Sequence, residues 1–209
     1  KMVGEISTGA NLAGKADNRP QLSWPNNMSG ADVIRFMIKK ASKTSGGIDM
    51  RNGMNYPQLI SKYTMGAVLY HQACDNYLDE KMTANNKPNN KPYKKGAYYT
   101  GKEHSWDEAF GYWGAAAHTM KLTAKQSYNV AKKKDLKAAD FNNDGVVDLY
   151  KEMTYGHAYY ASAFDKGGKT NYLKTVTKAF IDGRKIITNA YGEKLSTSDL
   201  TKVQDLAQV

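Results

Sequence analysis

The chain has 209 residues, enough for one large domain or two small ones with a buried core. Hydrophobic residues make up 41%, an ordinary share for a globular protein, and no apolar run approaches the ~18–20 residues that span a bilayer as a helix. The net charge of +10 comes from dispersed lysines, while arginine is scarce (Arg19, Arg35, Arg51, Arg184); forked base and phosphate readers lean on arginine, so specific nucleic-acid recognition is not expected.

Residues 1–28 carry Gly, Asn, Ser, Pro20 and Pro25 with little periodicity, and they read as an extended arm or loop. Residues 29–209 read as a helical domain. Ser29 caps a first helix, with Asp32 in its first turn and Val33, Phe36 and Met37 at helical spacing. Gly46 and Gly47 end that region. Asn55 and Pro57 open a second helix, whose stripe of Leu59, Tyr63, Val68, Leu69, Ala73, Tyr77 and Leu78 runs to about Met82. It carries Cys74, the only cysteine, which excludes an intrachain disulfide and reads as a buried, inert thiol. A polar loop over 83–100 follows, with Pro88 and Pro92.

Ser105 is the expected cap of the next helix, paired with Glu108 as a capping box. A weaker helix is expected over 124–139, another over 149–164, then a break at Gly167 and Gly168. Further helices are expected over 172–190 and from Ser196, with Leu200, Val203 and Leu206 on the last. No strand pattern or repeat stands out. The expected fold is all-α, an irregular bundle of about six or seven helices with a long N-terminal arm.

Residues 140–148 read Asp-Phe-Asn-Asn-Asp-Gly-Val-Val-Asp. Calcium takes six to eight hard oxygen ligands in a flexible cage. Asp140, Asn142 and Asp144 place oxygens at alternate positions, and Gly145 stands where the chain must turn sharply. Val146 offers its backbone carbonyl, Asp148 supplies the ninth-position oxygen, and Val147 is placed to pack beneath. The segment resembles the calcium loops of EF-hands and dockerins, with helices expected on both sides. The usual twelfth-position carboxylate falls at Lys151, which cannot ligate; Glu152, one turn beyond Asp148, is the substitute ligand.

A second group of metal-capable residues surrounds His104. His104 and Glu108 are four apart and share one helix face, and Glu103 and Asp107 form a second such pair. His71 and Asp75 repeat that spacing on the preceding helix and are the expected partners for a transition-metal site. His118 and His157 lie further along.

The run His104-x-x-Asp107-Glu108-Ala109-Phe110-Gly111-Tyr112, after Met65-Gly66-Ala67, resembles an uncharacterised bacterial family, domain of unknown function 4856. The resemblance covers residues 56–190 and is densest at 104–114. It implies an exported helical lipoprotein, distantly similar to imelysin-like proteins, with the calcium loop as an insertion and the family's last helices falling beyond Val209. Imelysin-like proteins carry a Gly-x-His-x-x-Glu motif linked to metal or iron uptake. Here Gly101 stands three residues before His104, and Asp107 replaces the glutamate.

The leading expectation is a calcium-binding exported or cell-surface binding or scaffold protein: periplasmic, outer-membrane-attached or extracellular. Surface proteins or polysaccharide are the expected partners, with the membrane reached only through a lipid anchor outside this chain. The alternative is a transition-metal or iron uptake component built on the His104 segment. A metal-dependent hydrolase comes third. There is no Gly-rich phosphate loop, Gly-x-Ser-x-Gly elbow or His-Glu-x-x-His run, so an enzyme is the weaker expectation.

Overall fold

A computed structural model describes residues 14–22, 24–83 and 86–209; of the predicted arm, 1–13 and Ser23 lie outside the described residues, as do Ala84 and Asn85 of the polar loop. The chain divides into two compact units, 1–72 and 73–209. The division falls inside one continuous helix. Among the described residues there are eight α-helices and a single two-residue hairpin, so the fold is all-α.

In the first unit, α1 spans Gly30–Ala41. Ser29 accepts the Asp32 N–H while Asp32 accepts the Ser29 N–H, a capping box that satisfies two otherwise orphaned donors. Val33 and Met37 face inward and pack with Tyr56, and Trp24 meets Phe36 and Tyr63 edge-on. Within the predicted arm, Trp24 is thus packed on this core and Ala16 and Asp17 are buried, while Leu22 stays exposed. The arm's backbone is tied as well: Asp17 N–H donates to Ala67 O, and Gly30 N–H donates to Asp17 O, both at 2.8 Å. The strands β1 (Ile48–Asp49) and β2 (Met54–Asn55) form a minimal antiparallel hairpin that sequence periodicity does not reveal. Asn55 then caps α2, Tyr56–Thr64, by accepting the Gln58 N–H at 3.1 Å.

The α2 helix runs on without a break as a π-helical stretch, Met65–Thr83. Its buried residues are Ala67, Val68, Gln72, Ala73, Tyr77, Leu78 and Met82. They recur every five residues, which is the spacing that i→i+5 winding brings onto one face. Cys74 falls beside that face and is half-buried.

In the second unit, α3 spans Gly101–Trp113, α4 Ala124–Ala131, α5 Leu136–Ala139, α6 Gly156–Asp165, α7 Tyr172–Asn189 and α8 Thr197–Ala207. The α3 helix packs on α6 and α7, α4 on α6, and α7 on α8. The main core gathers Tyr77, Leu78, Met82, Trp106, Ala109, Phe180, Ile187, Leu195 and Val203. A smaller core joins Leu122, Val130, Ala139 and Met153, with Val147 packed against it.

Three boundaries differ from the sequence expectation. The cap of α3 is Thr100, because the pair Thr100 and Glu103 forms its own capping box one turn before Ser105. Ser105 is instead buried within the helix and donates its hydroxyl to Gly101 O at 3.0 Å. The helix expected over 124–139 breaks after Ala131 and resumes as the single turn α5 behind Asp135. The helix expected from Leu149 begins only at Gly156. The intervening chain pairs with the segment after α3 instead of coiling: Ala117 N–H donates to Lys151 O and Tyr155 N–H donates to Gly114 O, both at 2.7 Å. The acidic loop is therefore flanked by one helical turn before it and a turn after it, not by the two long helices of an EF-hand.

Candidate functional site

The acidic loop coils on its own side chains. Asp140 accepts the Asp144 N–H on Oδ1 at 3.1 Å and the Gly145 N–H on Oδ2 at 2.9 Å. Asn142 Oδ1 accepts the Asp144 N–H, and Asp144 Oδ1 accepts the Val146 N–H at 2.8 Å. Gly145 has φ +82°, the left-handed conformation that the sharp sixth-position turn requires. Asp148 Oδ1 accepts the Tyr150 N–H at 2.8 Å, and its Oδ2 lies 3.5 Å from Lys151 Nζ. The twelfth-position lysine thus sits against a carboxylate of the loop.

Glu152 ties the two ends together. It is 6% exposed; its Oε1 accepts the Phe141 N–H at 3.0 Å and the Asn142 N–H at 3.4 Å, while Oε2 accepts the Asp148 N–H at 2.8 Å. A carboxylate has about four lone-pair sites, so three N–H bonds leave acceptor capacity over. The chemistry of the set suits a hard divalent cation: four carboxylates (Asp140, Asp144, Asp148, Glu152), the Asn142 amide and the Val146 carbonyl, all oxygen.

Beneath the loop lies His118, which the sequence could not connect to it because twenty-one residues intervene. His118 is buried, its Nε2 lies 3.0 Å from Ala138 O, and its ring stacks on Phe141 with centroids 5.0 Å apart. A carbonyl only accepts, so Nε2 carries the proton. Lys121 Nζ covers the Phe141 ring at 4.3 Å.

The His104 segment forms a different kind of cluster. His104 Nε2 and Glu108 Oε1 are 3.6 Å apart. The His104 ring stacks on Tyr93 at 4.0 Å and faces Tyr99 at 5.7 Å. Glu108 also lies beside Tyr77 and Tyr112, whose rings stack 6.0 Å apart. Burial, reinforced by the Glu108 charge, pushes the Tyr77 hydroxyl up to about 12. The residue that the preceding helix brings to Glu108 is thus Tyr77. His71 lies in the first unit, where its ring nitrogen and the Asp17 carboxylate come within 4.8 Å; Asp75 follows it by four residues on the continuous helix. Asp17 is already gripped by Arg19 through Nε at 2.9 Å and Nη2 at 2.8 Å, which holds its carboxyl down to about 2.

Glu103 and Asp107 face away from this cluster and clamp Arg184 of α7. Arg184 Nη1 donates to Glu103 Oε1 at 2.5 Å and Nε donates to Asp107 Oδ1 at 2.8 Å. Burial alone would raise the Glu103 carboxyl, but the Thr100 N–H, Thr188 and Arg184 outweigh it and hold it below the usual range. Asn89 completes the network, accepting the Thr100 hydroxyl and donating to Ile187 O and Ala190 O. The densest part of the sequence motif is therefore in large part a structural joint between the polar loop, α3 and α7.

No curated protein and no solved structure matches the chain. A family model described as Domain of unknown function (DUF4856) matches residues 41–203, a span that takes in α2 to α7, the His104 cluster, the Arg184 clamp and the acidic loop. With most of its length matched, the chain belongs to that family.

Proposed function

We propose that residues 140–152 bind a calcium ion and that the protein is a calcium-stabilised binding or scaffold protein exported to the periplasm, the outer membrane or the cell exterior. The observation that carries this reading is the coil of the loop on Asp140, whose carboxylate takes the N–H groups of Asp144 and Gly145. That coil sets Asp140, Asn142 and Asp144 at alternate positions around one turn. Asp148, the Val146 carbonyl and Glu152 complete a set of hard oxygen donors. Asp140, Asp144 and Asp148 fall within nine residues, and their like charges repel unless a cation offsets them. Lys151, standing where a bidentate carboxylate is usual, competes for Asp148 and lowers the expected affinity. Such a site suits the millimolar calcium found outside the cytosol, and the exposed Tyr93 and Tyr98 suit contact with surface proteins or polysaccharide.

The test is thermal unfolding with calcium and with chelator. A ligand that binds only the folded state stabilises by about 2.7 kcal/mol at 100 times Kd. Calcium is expected to raise Tm in the wild type, and the Asp144→Ala protein is expected to lose most of that rise. An unchanged calcium response in the variant would place the ion elsewhere and sink the proposed site.

A second reading is a transition-metal or iron uptake component, in keeping with a distant imelysin-like relation. It is favoured by the approach of His104 Nε2 to Glu108 Oε1. Metal analysis of protein purified without chelators or metal affinity resin separates the two: stoichiometric calcium supports the first, and stoichiometric iron, copper or zinc lost on His104→Ala supports the second.

A further inference from the structure

We infer that residues 141–151 form a calcium-gated tip that docks on an anionic lipid surface. The inference rests on the calcium reading above and adds a partner to it.

The first observation is what the loop shows to solvent. Phe141 is 47% exposed, Val146 67%, Leu149 62% and Tyr150 97%, while Val147 between them is turned into the small core. Four large apolar side chains within ten residues face water beside four carboxylates. Dispersed single exposures are ordinary, but apolar groups gathered on one segment mark an interaction site. Folding leaves them out because the backbone here is committed elsewhere. The N–H groups of Phe141, Val146 and Tyr150 are spent on Glu152, Asp144 and Asp148, and Lys151 O is paired with Ala117.

Charge supplies the second observation. From residue 121 to 152 there are seven lysines (Lys121, Lys125, Lys132, Lys133, Lys134, Lys137, Lys151) against five carboxylates, a formal +2. All seven lysines are exposed, and Lys121 reaches over the Phe141 ring. Four of the five carboxylates lie at the tip itself, and Lys121 and Lys151 stand beside it. Without a cation the tip presents negative charge next to its apolar groups and is repelled by anionic headgroups. A bound calcium offsets two of the four negative charges there, and with Lys121 and Lys151 beside the loop the tip becomes formally neutral, so the repulsion is lifted and the apolar side chains and lysines can meet an anionic membrane surface.

The apolar groups choose the occupant. Val146 and Leu149 have no polar handle, so they gain only by leaving water, which an acyl boundary provides and a hydrated anionic polysaccharide does not. Tyr150 has the amphipathic ring that settles at the headgroup level.

Cosedimentation with phosphatidylcholine vesicles, with and without phosphatidylglycerol, tests this in calcium and in chelator. Calorimetry of calcium binding to the lipid-free protein is run beside it. The expected result is about a tenfold or greater rise in partitioning onto phosphatidylglycerol vesicles when calcium is added, and little binding to phosphatidylcholine alone. The double variant Leu149→Ser/Tyr150→Ser touches two exposed residues whose side chains are not ligands. It is expected to keep calcium binding and lose about tenfold in partitioning. Calcium binding by calorimetry without calcium-dependent sedimentation overturns the docking and leaves the site standing. No calcium binding overturns both. Full vesicle binding by the double variant overturns the assignment of the tip.

Discussion

At the scale of single residues, the glycine with least room for a side chain in the second unit is Gly183, which lies against Trp106. A Cβ on Gly183 would sit 2.2 Å from Trp106 Cζ2, and Trp106, 1% exposed, is fixed by its Nε1–H donating to Phe180 O at 2.8 Å. The indole cannot swing away without breaking that bond in a closed core. Alanine in mid-helix normally gains about 1 kcal/mol over glycine, so the sign of Gly183→Ala tests the packing. It is expected to destabilise by roughly 1–3 kcal/mol, measured by denaturant unfolding. Equal or greater stability would mean that the indole has room to move. In the first unit, Asp17 makes a pH-dependent contribution. Its folded value, about 2, lies below the ordinary 3.8, so the stabilisation is present above about pH 4 and lost as pH falls through about 2. Arg19 is largely exposed, which discounts the effect to about 1 kcal/mol. The advantage of the wild type over Asp17→Asn is therefore expected at pH 5 and gone near pH 2. An advantage that persists unchanged at the acid end would assign it to packing.

At the scale of elements, local chemistry was legible in the sequence where a cap and its helix lie side by side. Ser29 with Asp32, Asn55 with Pro57, and Ser196 all mark helix starts where the structure has them. Two Ser/Thr-x-x-Glu pairs stand in succession at the α3 start, Thr100 with Glu103 and Ser105 with Glu108, and the expected cap is the second. The first prevails through partners that only the fold supplies: Asn89 on the Thr100 hydroxyl and Arg184 on the Glu103 carboxylate. The helix after α2 was expected from a 3.6-residue stripe, yet its buried positions step by five, from Ala67 and Gln72 to Tyr77 and Met82. A reading tuned to α-helical period merges those two patterns. Residues 149–155 have the composition of a helix start but pair with Gly114 and Ala117, a long-range choice with no local signature. The candidate site divides in the same way. The oxygens of the acidic loop follow from spacing alone, and so does the approach of His104 to Glu108. His118 under Phe141 and Tyr77 beside Glu108 come from distant segments, and no motif announces them.

At the scale of the whole molecule, the two compact units give the calcium proposal a spatial test. The loop and everything it is tied to, from His118 and Ala138 to Glu152 and Val147, belong to the unit 73–209. A bound ion would fix the Asp140 to Glu152 closure, and Val147 and Phe141 would pass that restraint to Leu122, Val130, Met153 and His118, on which they pack. Local opening there costs less than global unfolding, so amides near the site are expected to report the ion before Tm does. Hydrogen exchange with calcium and with chelator is expected to show protection rising in residues 116–155. Residues 29–64, whose core of Val33, Met37 and Tyr56 is built without the loop, are expected to stay unchanged. Protection that rises equally in both spans would show that the ion acts on the chain as one cooperative body. Protection that rises only in residues 29–64 would locate the cation away from the acidic loop altogether, and Asp17 with His71 would then be the place to look.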